Sequence, residues 1–450
     1  MWKLRRWFSL SASTVAFVIC SSPEVMGNVF GRKRASLDTL DALPDDTLQL
    51  VIAACGYEGV LRFEAVKGLA CVSKALLQQL HRLQPLVSVQ SLAVMQRPAH
   101  GPWRFVLLYT GKLTGAVLDQ GRQGRVIAID VRQASLGPRL AKRVVPDLLG
   151  DGCSLLELEC RRAEPRYSST WAAVFGEAAV CSAVLRVLDL RNCMLRGPLP
   201  ELRLPALHEL LLCDNRLSGG LEPLLGCKAL RFMSLNNNRL TGGLEPLRGC
   251  TALEQLGLND NMITGGLEPL RGCTAMQELC MAGNLLAGGL EPLRGCTALK
   301  ILSLNDNTLT GGLEPLRGCT ALEGLHVGSL PGLHNLQLTG SLEPLRGCTA
   351  LKVLGLCGNR IAGGLEPLGG CTALQALFME GNQLTGGLEP LRGCTALQAL
   401  CAEGNHLTGL LEPLLGCTML RTLSLEKNNL MPTDKDKAHF EKQCATWFSI

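Results

Sequence analysis

The sequence predicts an α/β solenoid, in which short stacked units lay a parallel β-sheet along the concave side, with a helical module before them and a helical cap after them. Three observations carry that prediction. First, between Leu185 and Leu430 one unit recurs ten or eleven times, opening at Leu185, Leu207, Leu230, Leu253, Met276, Leu299, Leu322, Leu351, Leu374, Leu397 and Leu420, with a step of 23 residues apart from one of 22 and one of 29. Second, apolar residues fall at positions 1, 4 and 6 of each unit, as in Leu299, Leu302 and Leu304, and the alternation from 4 to 6 is the period of a strand with one buried face. Third, Asn stands at position 9 in Asn215, Asn238, Asn261, Asn284, Asn307, Asn359, Asn382, Asn405 and Asn428. A unit this short cannot bury its own apolar face, so it must stack on its neighbours.

Along the chain, residues 1–36 form a basic leader. Lys3, Arg5, Arg6, Arg32, Lys33 and Arg34 against Glu24 give +5, which equals the formal charge of the whole chain, so the remainder is neutral. The apolar, Ser-rich stretch from Trp7 to Cys20 behind three basic residues has the layout of a secretory signal or an organelle transit peptide. It is too short to span a membrane. No small-x-small cleavage site follows it, so a leader without a targeting role stays open.

Residues 37–90 predict two helices. Pro44 followed by Asp45, Asp46 and Thr47 is a helix start, and Leu48, Val51, Ile52 and Cys55 then fall on one face. A second helix runs from about Phe63 to Leu83 with Leu69, Val72, Leu76 and Leu80 on one side. Leu43-Pro44-Asp45 and Cys71-Val72-Ser73-Lys74 resemble an F-box, the module through which substrate receptors dock on the adaptor of a cullin-type ubiquitin ligase. The resemblance implies that Leu43, Pro44, Leu48, Val51, Ile52, Val72 and Leu76 face that adaptor. The gap between the half-motifs is about six residues longer than usual in the family, and Leu76 stands where Trp is common. The alternative is a helical cap closing the end of the solenoid. Residues 91–184 read as degenerate repeats: Val126–Val131 and Leu155–Cys160 repeat the 1, 4, 6 pattern, with outer helices at Pro138–Leu149 and Trp171–Val184. Arg122, Arg125, Arg132, Arg139, Lys142 and Arg143 give this stretch a locally basic, solvated face.

In residues 185–430, stacked copies of Asn, which carries donors and an acceptor, are placed to satisfy backbone groups of adjacent turns. Nine cysteines, from Cys227 to Cys417, share one repeat position, which marks a small buried residue stacked along the array. These units resemble the leucine-rich-repeat family, whose pattern L-x-x-L-x-L-x-x-N-x-L they match, and Leu240–Leu247 is similar to the L-x-G-x-I-P segment of plant-type repeats. The resemblance implies an arc with parallel strands on the concave side and short turns on the convex side, about 50 Å long at ~4.8 Å per strand. The unit opening at Leu322 is six residues longer and puts Leu336 where Asn is expected, either as a tolerated loop or as a recognition loop. Residues 431–450 carry a helix start at Pro432 and apolar Phe440, Cys444, Trp447 and Phe448, a helical cap.

Composition narrows the function. Aromatics are 4% and the repeats carry no basic stripe, which excludes a nucleic-acid grip. There is no C-x-x-C pair, phosphate-binding Gly loop, nucleophile elbow or H-E-x-x-H, so no metal, cofactor or catalytic residue is expected. Twenty-one cysteines, an odd total, with no N-x-S/T sequon point to a reducing compartment, cytoplasmic or nuclear; a cleaved leader would instead point to the secretory pathway or a plastid. The variable positions 3, 5, 7 and 8 face the concave side and hold Phe232, Asn236, Asn259, Asp260, Asn305, Asp306, Phe378, Glu380, Glu403 and Glu426. The last three acids align at position 7 of successive units beside Phe378, an aromatic anchor among adaptable polar groups. The expected function is recognition of a protein partner on that face, as an F-box-like substrate receptor or as a targeted, secreted or membrane-associated receptor-like repeat protein.

Overall fold

The computed structural model describes residues 180–329, 337–444 and 447–449, together with six short strands before them. The chain divides into two units, the first made of Met1–Tyr167 with Ala173–Gly176 and Val184–Leu188, the second of Ser168–Ala172, Glu177–Ala183 and Asp189–Ile450. In the first unit Gly56–Tyr57 pairs antiparallel with Val60–Arg62. From there Val60–Arg62, Leu86–Val89, Arg104–Leu108, Val126–Asp130 and Glu157–Glu159 pair in sequence as parallel strands. The expected helices of the 37–90 module and that of 138–149 lie outside the described residues, as does Leu336.

The second unit is a solenoid of two parallel β-columns and a column of turns. The first column stacks eleven strands, from Glu209–Leu211 through Phe232–Ser234 and Gln255–Gly257 to Thr422–Ser424 and Trp447–Ser449. Register is kept throughout, so that Phe232 lies beside Gln255, Gln255 beside Glu278 and Glu278 beside Ile301. Most of these strands bury position 4 between half-exposed positions 3 and 5, as in Phe232–Met233–Ser234, while Gly324, Gly355 and Ser424 are buried as well. This is the concave sheet that the periodicity predicts.

Besides the short turns that are expected, the structure has a second sheet. Positions 10 to 13 form four-residue strands such as Arg239–Gly242 and Met262–Gly265 in an eleven-stranded parallel sheet. A single buried residue per strand, Leu240 or Ile263, is too weak an alternation to read from sequence. Stacking supplies what local propensity lacks, because the first two residues of a strand pair with the copy before it and the last two with the copy after it, as in Met262–Gly265. Position 13 is Gly in this column, at φ +79 in Gly242 and +82 in Gly265, where a Cβ would be strained. Leu-Glu-Pro-Leu then makes a 3-10 turn, as at Glu245–Leu247, with Pro taking a position whose N–H the turn does not use.

Seven side chains per unit build the core. In the unit opening at Leu253 these are Leu253, Leu256, Leu258, Ile263, Leu267, Leu270 and Cys273, each at most 1% exposed. The cysteine column is buried as expected, and each thiol leans on the carbonyl of the preceding copy, Cys273 on Cys250 at 3.4 Å and Cys296 on Cys273 at 3.5 Å. The Asn ladder is equally regular. Asn261 donates to Leu235 O and Leu258 O and accepts from Leu240 N–H at 3.0 Å. On the outer side, Arg294, Arg317 and Arg346 pair with the Glu three residues before them.

Two boundaries differ from expectation. Val180–Cys181, assigned from sequence to the end of a helix, is a strand pairing with Leu202–Arg203. At the far end the helix is Asp434–Gln443 alone, capped by reciprocal bonds between Thr433 and Asp436 and anchored by fully buried Phe440. Trp447 and Phe448, read as part of that helical cap, lie in a strand beside Thr422–Ser424. The open edge of the concave sheet decides this: Leu425 N–H finds Ser449 O at 2.9 Å, a partner that a continued helix would not supply.

Candidate partner-binding face

The ten residues expected on the concave side divide into four groups by what holds them. Asn236, Asn259 and Asn305, at position 7, form a second, shorter ladder: their side-chain oxygens accept from Asn259 N–H, Ala282 N–H and Gly328 N–H at 2.8 to 2.9 Å. These side chains brace the next strand, which leaves only part of each for a partner. Asp260 and Asp306, at position 8, sit at φ +54, and Asp214, Asn237 and Lys427 share that left-handed geometry. Asp and Asn tolerate it better than other non-glycine residues, which accounts for their choice at a strand-end turn.

Phe232 lies half-buried at position 3 under the Arg231 guanidinium, which stands 5.5 Å from the ring centroid and also pairs with Glu254. Phe378, Glu380, Glu403 and Glu426 form the remaining group. Backbone bonds from Gly358, Gly381 and Gly404 to the carbonyls of Glu380, Glu403 and Glu426 hold the three acids on successive strands. Their side chains are engaged differently. Glu380 accepts from the Cys357 thiol at 2.7 Å, Glu403 accepts from the Lys427 ammonium at 2.7 Å, and Glu426 is exposed. Burial, then the bond to Glu380, pushes the Cys357 thiol well up, so it stays protonated and donates.

Sequence reasoning passed over two participants. His326 at position 5 has glycine beside it on the next strand and two residues before it on its own: a Cβ on Gly355 would stand 3.3 Å from its Nδ1, and one on Gly324 3.5 Å from its Nε2. The imidazole therefore lies down on the sheet, and burial pushes its pKa below the usual value. Cys357 is the other, and only its alignment with the position-7 acids could have marked it. The long unit leaves the concave strand normally, Ser329 N–H bonding Cys357 O at 2.9 Å, and rejoins the second sheet at Gln337 beside Thr310. Asn359 reaches back to Val327 O at 2.9 Å, so the ladder resumes across the insertion. The adaptor-facing set Leu43, Pro44, Leu48, Val51, Ile52, Val72 and Leu76 lies outside the described residues. Among the described residues no group of three or more His, Cys, Asp or Glu is placed to hold a metal ion, and no helix is long and apolar enough to cross a membrane.

Comparisons agree with this geometry. The Leucine Rich Repeat family model matches residues 184–202. Among curated proteins none matches the chain. Among solved structures, the Arabidopsis receptor kinase HAESA, in complex with the peptide hormone IDA and the co-receptor SERK1, is similar at a TM-score of 0.59 and 22% identity, over 77% of this chain and 57% of that one. A TDR receptor gives 0.58 at 19% identity, over 80% and 58%. A leucine-rich-repeat protein of Leptospira interrogans gives 0.51 at 18% identity, over 80% of this chain and 99% of that one. The chain spans 57% and 58% of the two receptors' lengths, and what it shares with all three is the solenoid fold.

Proposed function

We propose that this protein is a recognition scaffold that holds another protein or peptide on its concave sheet, without chemistry of its own. One observation carries this: the positions that build the core, the position-9 Asn ladder and the outer turns are nearly copied from unit to unit, whereas positions 3, 5 and 7 of the concave side are not. A rigid frame with one variable face is suited to contact rather than to catalysis. The likeness to HAESA, whose structure holds a peptide hormone, supports the reading as an analogy of fold. The test places a photo-crosslinking residue at Gln255 or Ala399 on the concave strands and, as a control, at Thr264 on the second sheet. Partners captured from concave positions and lost with Phe378→Ala support the reading. Equal capture from both faces overturns it.

A finer reading gives the scaffold a ligase role, with segment 37–90 docking a ubiquitin-ligase adaptor. Its support is the pairing of Leu43-Pro44-Asp45 with Cys71-Val72-Ser73-Lys74 ahead of the repeats. Retrieval of such an adaptor, lost with Leu48→Asp and Val72→Asp, is the expected result. A shortened chain found in the secretory pathway or a plastid would favour a receptor-like role, and its new amino terminus would show whether residues 1–27 are removed.

A further inference from the structure

We propose that the carboxyl-terminal part of the concave sheet is a groove for an extended basic segment of another polypeptide, one whose Lys or Arg residues three apart meet Glu380 and Glu426, with Phe378 beside Glu380 at one end. This rests on the concave face being the recognition surface, and it adds the chemistry of the occupant.

The floor of the sheet changes along the array. At position 3 the side chains run Glu209, Phe232, Gln255, Glu278 and Ile301 over the first strands. From Gly324 they become Gly324, Val353, Ala376, Ala399 and Thr422, all small. Position 5 follows: Gly355 and Cys401 flank Phe378 on the neighbouring strands, so its half-buried ring stands above a low floor. A chain laid there meets one aromatic step and little else in the way.

Charge selects what lies against it. Glu380, Glu403 and Glu426 edge this floor on three successive strands. Lys427 already engages Glu403, while Glu426 is exposed and Glu380 is steadied by a neutral thiol that takes one of its two oxygens. The two carboxylates left for a partner are therefore the outer pair. Two strand steps of ~4.8 Å separate their backbones by about 10 Å. A polyproline-II segment rises ~3.1 Å per residue with three residues per turn, so its residues i and i+3 lie about 9 Å apart on one side. A β-strand puts same-side residues at ~6.7 or ~13 Å, which does not match. Phe378 stands two residues before Glu380 in the same unit, so a Pro ring or the stem of the Lys or Arg that meets Glu380 packs on it at that end of the segment.

The experiment uses the full chain and fluorescent peptides built on Lys-Pro-Pro-Lys-Pro-Pro-Lys, with Gln-for-Lys and Glu-for-Lys versions and a Lys-Pro-Lys version of altered spacing, read by anisotropy at two salt concentrations. The expected result is binding of the Lys-Pro-Pro-Lys peptide that weakens with salt and is lost with Gln or Glu in place of Lys. Glu380→Gln with Glu426→Gln should weaken it about tenfold and Phe378→Ala about as much, while Glu291→Gln on the outer turns leaves it unchanged. Equal binding of the neutral or acidic peptide, equal binding by the double variant, or no binding at all overturns the proposal. The photo-crosslinking result separates the two ideas: a partner captured at the concave face but indifferent to Glu380 and Glu426 overturns the basic groove and leaves the recognition reading standing.

Discussion

Asn261→Ala tests the ladder at a point where the structure allows the loss to be counted group by group. The Asn261 amide nitrogen donates to Leu235 O, Leu258 O and Asn259 O, and its oxygen accepts from Leu240 N–H. None of the three carbonyls is orphaned by the substitution. Leu235 O keeps Asn238, Leu258 O keeps Asn284, and Asn259 O keeps the backbone N–H of Asn237. Leu240 N–H has no such reserve, and it sits in a fully buried residue. One stranded donor costs about 1–3 kcal/mol, and three weakened acceptor sites add a few tenths each, so the expected loss is about 2–4 kcal/mol. An array of this length does not unfold in one step, so the reading should be local: hydrogen exchange at the Leu240 amide, with urea unfolding as a second measure. Asn261→Asp sharpens the test. It keeps the acceptor for Leu240 N–H but sets a carboxylate against three carbonyl oxygens, so it should cost more than Ala at neutral pH and recover as acid protonates it. A loss below about 0.5 kcal/mol for Asn261→Ala, with the Leu240 amide still protected, would refute the count.

Four further outcomes are expected. Burial pushes the thiols of Cys273, Cys319 and Cys348 up to about 11. Their alkylation by iodoacetamide in the native state at pH 8 should therefore run about two orders of magnitude slower than in urea, as followed by mass spectrometry. For His326 the folded pKa is depressed, so the folded chain binds fewer protons than the unfolded one; stability should be full above the ordinary histidine value and fall as pH drops through the folded value, and His326→Gln should flatten that part of the pH profile. Gly265→Ala meets nothing within 4 Å and should cost only the ~1 kcal/mol of its positive φ, whereas at Gly328 a Cβ comes 2.7 Å from Cys357 N, so Gly328→Ala should cost more and disturb exchange at the next strand. Phe440→Ala empties a fully buried site and should cost about 3–5 kcal/mol, freeing the Trp447–Ser449 strand to exchange first.

Legibility follows repetition. Positions 1, 4, 6 and 9 and the cysteine column recur so often that no single substitution hides them, and each turns out to be a buried column. The second sheet was not legible because its strands bury one residue each and owe their geometry to stacking rather than to local preference. Trp447 and Phe448 fall where a helical face and a strand give the same apolar marks, and only the open sheet edge at Leu425 decides between them. The concave candidates were legible as a face but not as individuals. Nothing in the letters Asn236 or Asn259 says that the side chain is turned along the sheet to hold the next strand.

That last distinction bears on how one array both stands and binds. At position 7 of three earlier units Asn236, Asn259 and Asn305 accept from the following backbone with their side-chain oxygens, so there a residue placed to touch a partner is engaged in holding the frame. From Cys357 onward the same position carries Cys357, Glu380, Glu403 and Glu426, whose side chains bond to other side chains or face solvent. The concave surface thus changes character along its length, from a braced stretch to one that gives up bracing and gains charge. Natural proteins tend to give up local stability where a surface has work to do. On that view the carboxyl-terminal units, with their low floor and acidic edge, are where contact is concentrated, and the earlier units fix the register on which that contact depends.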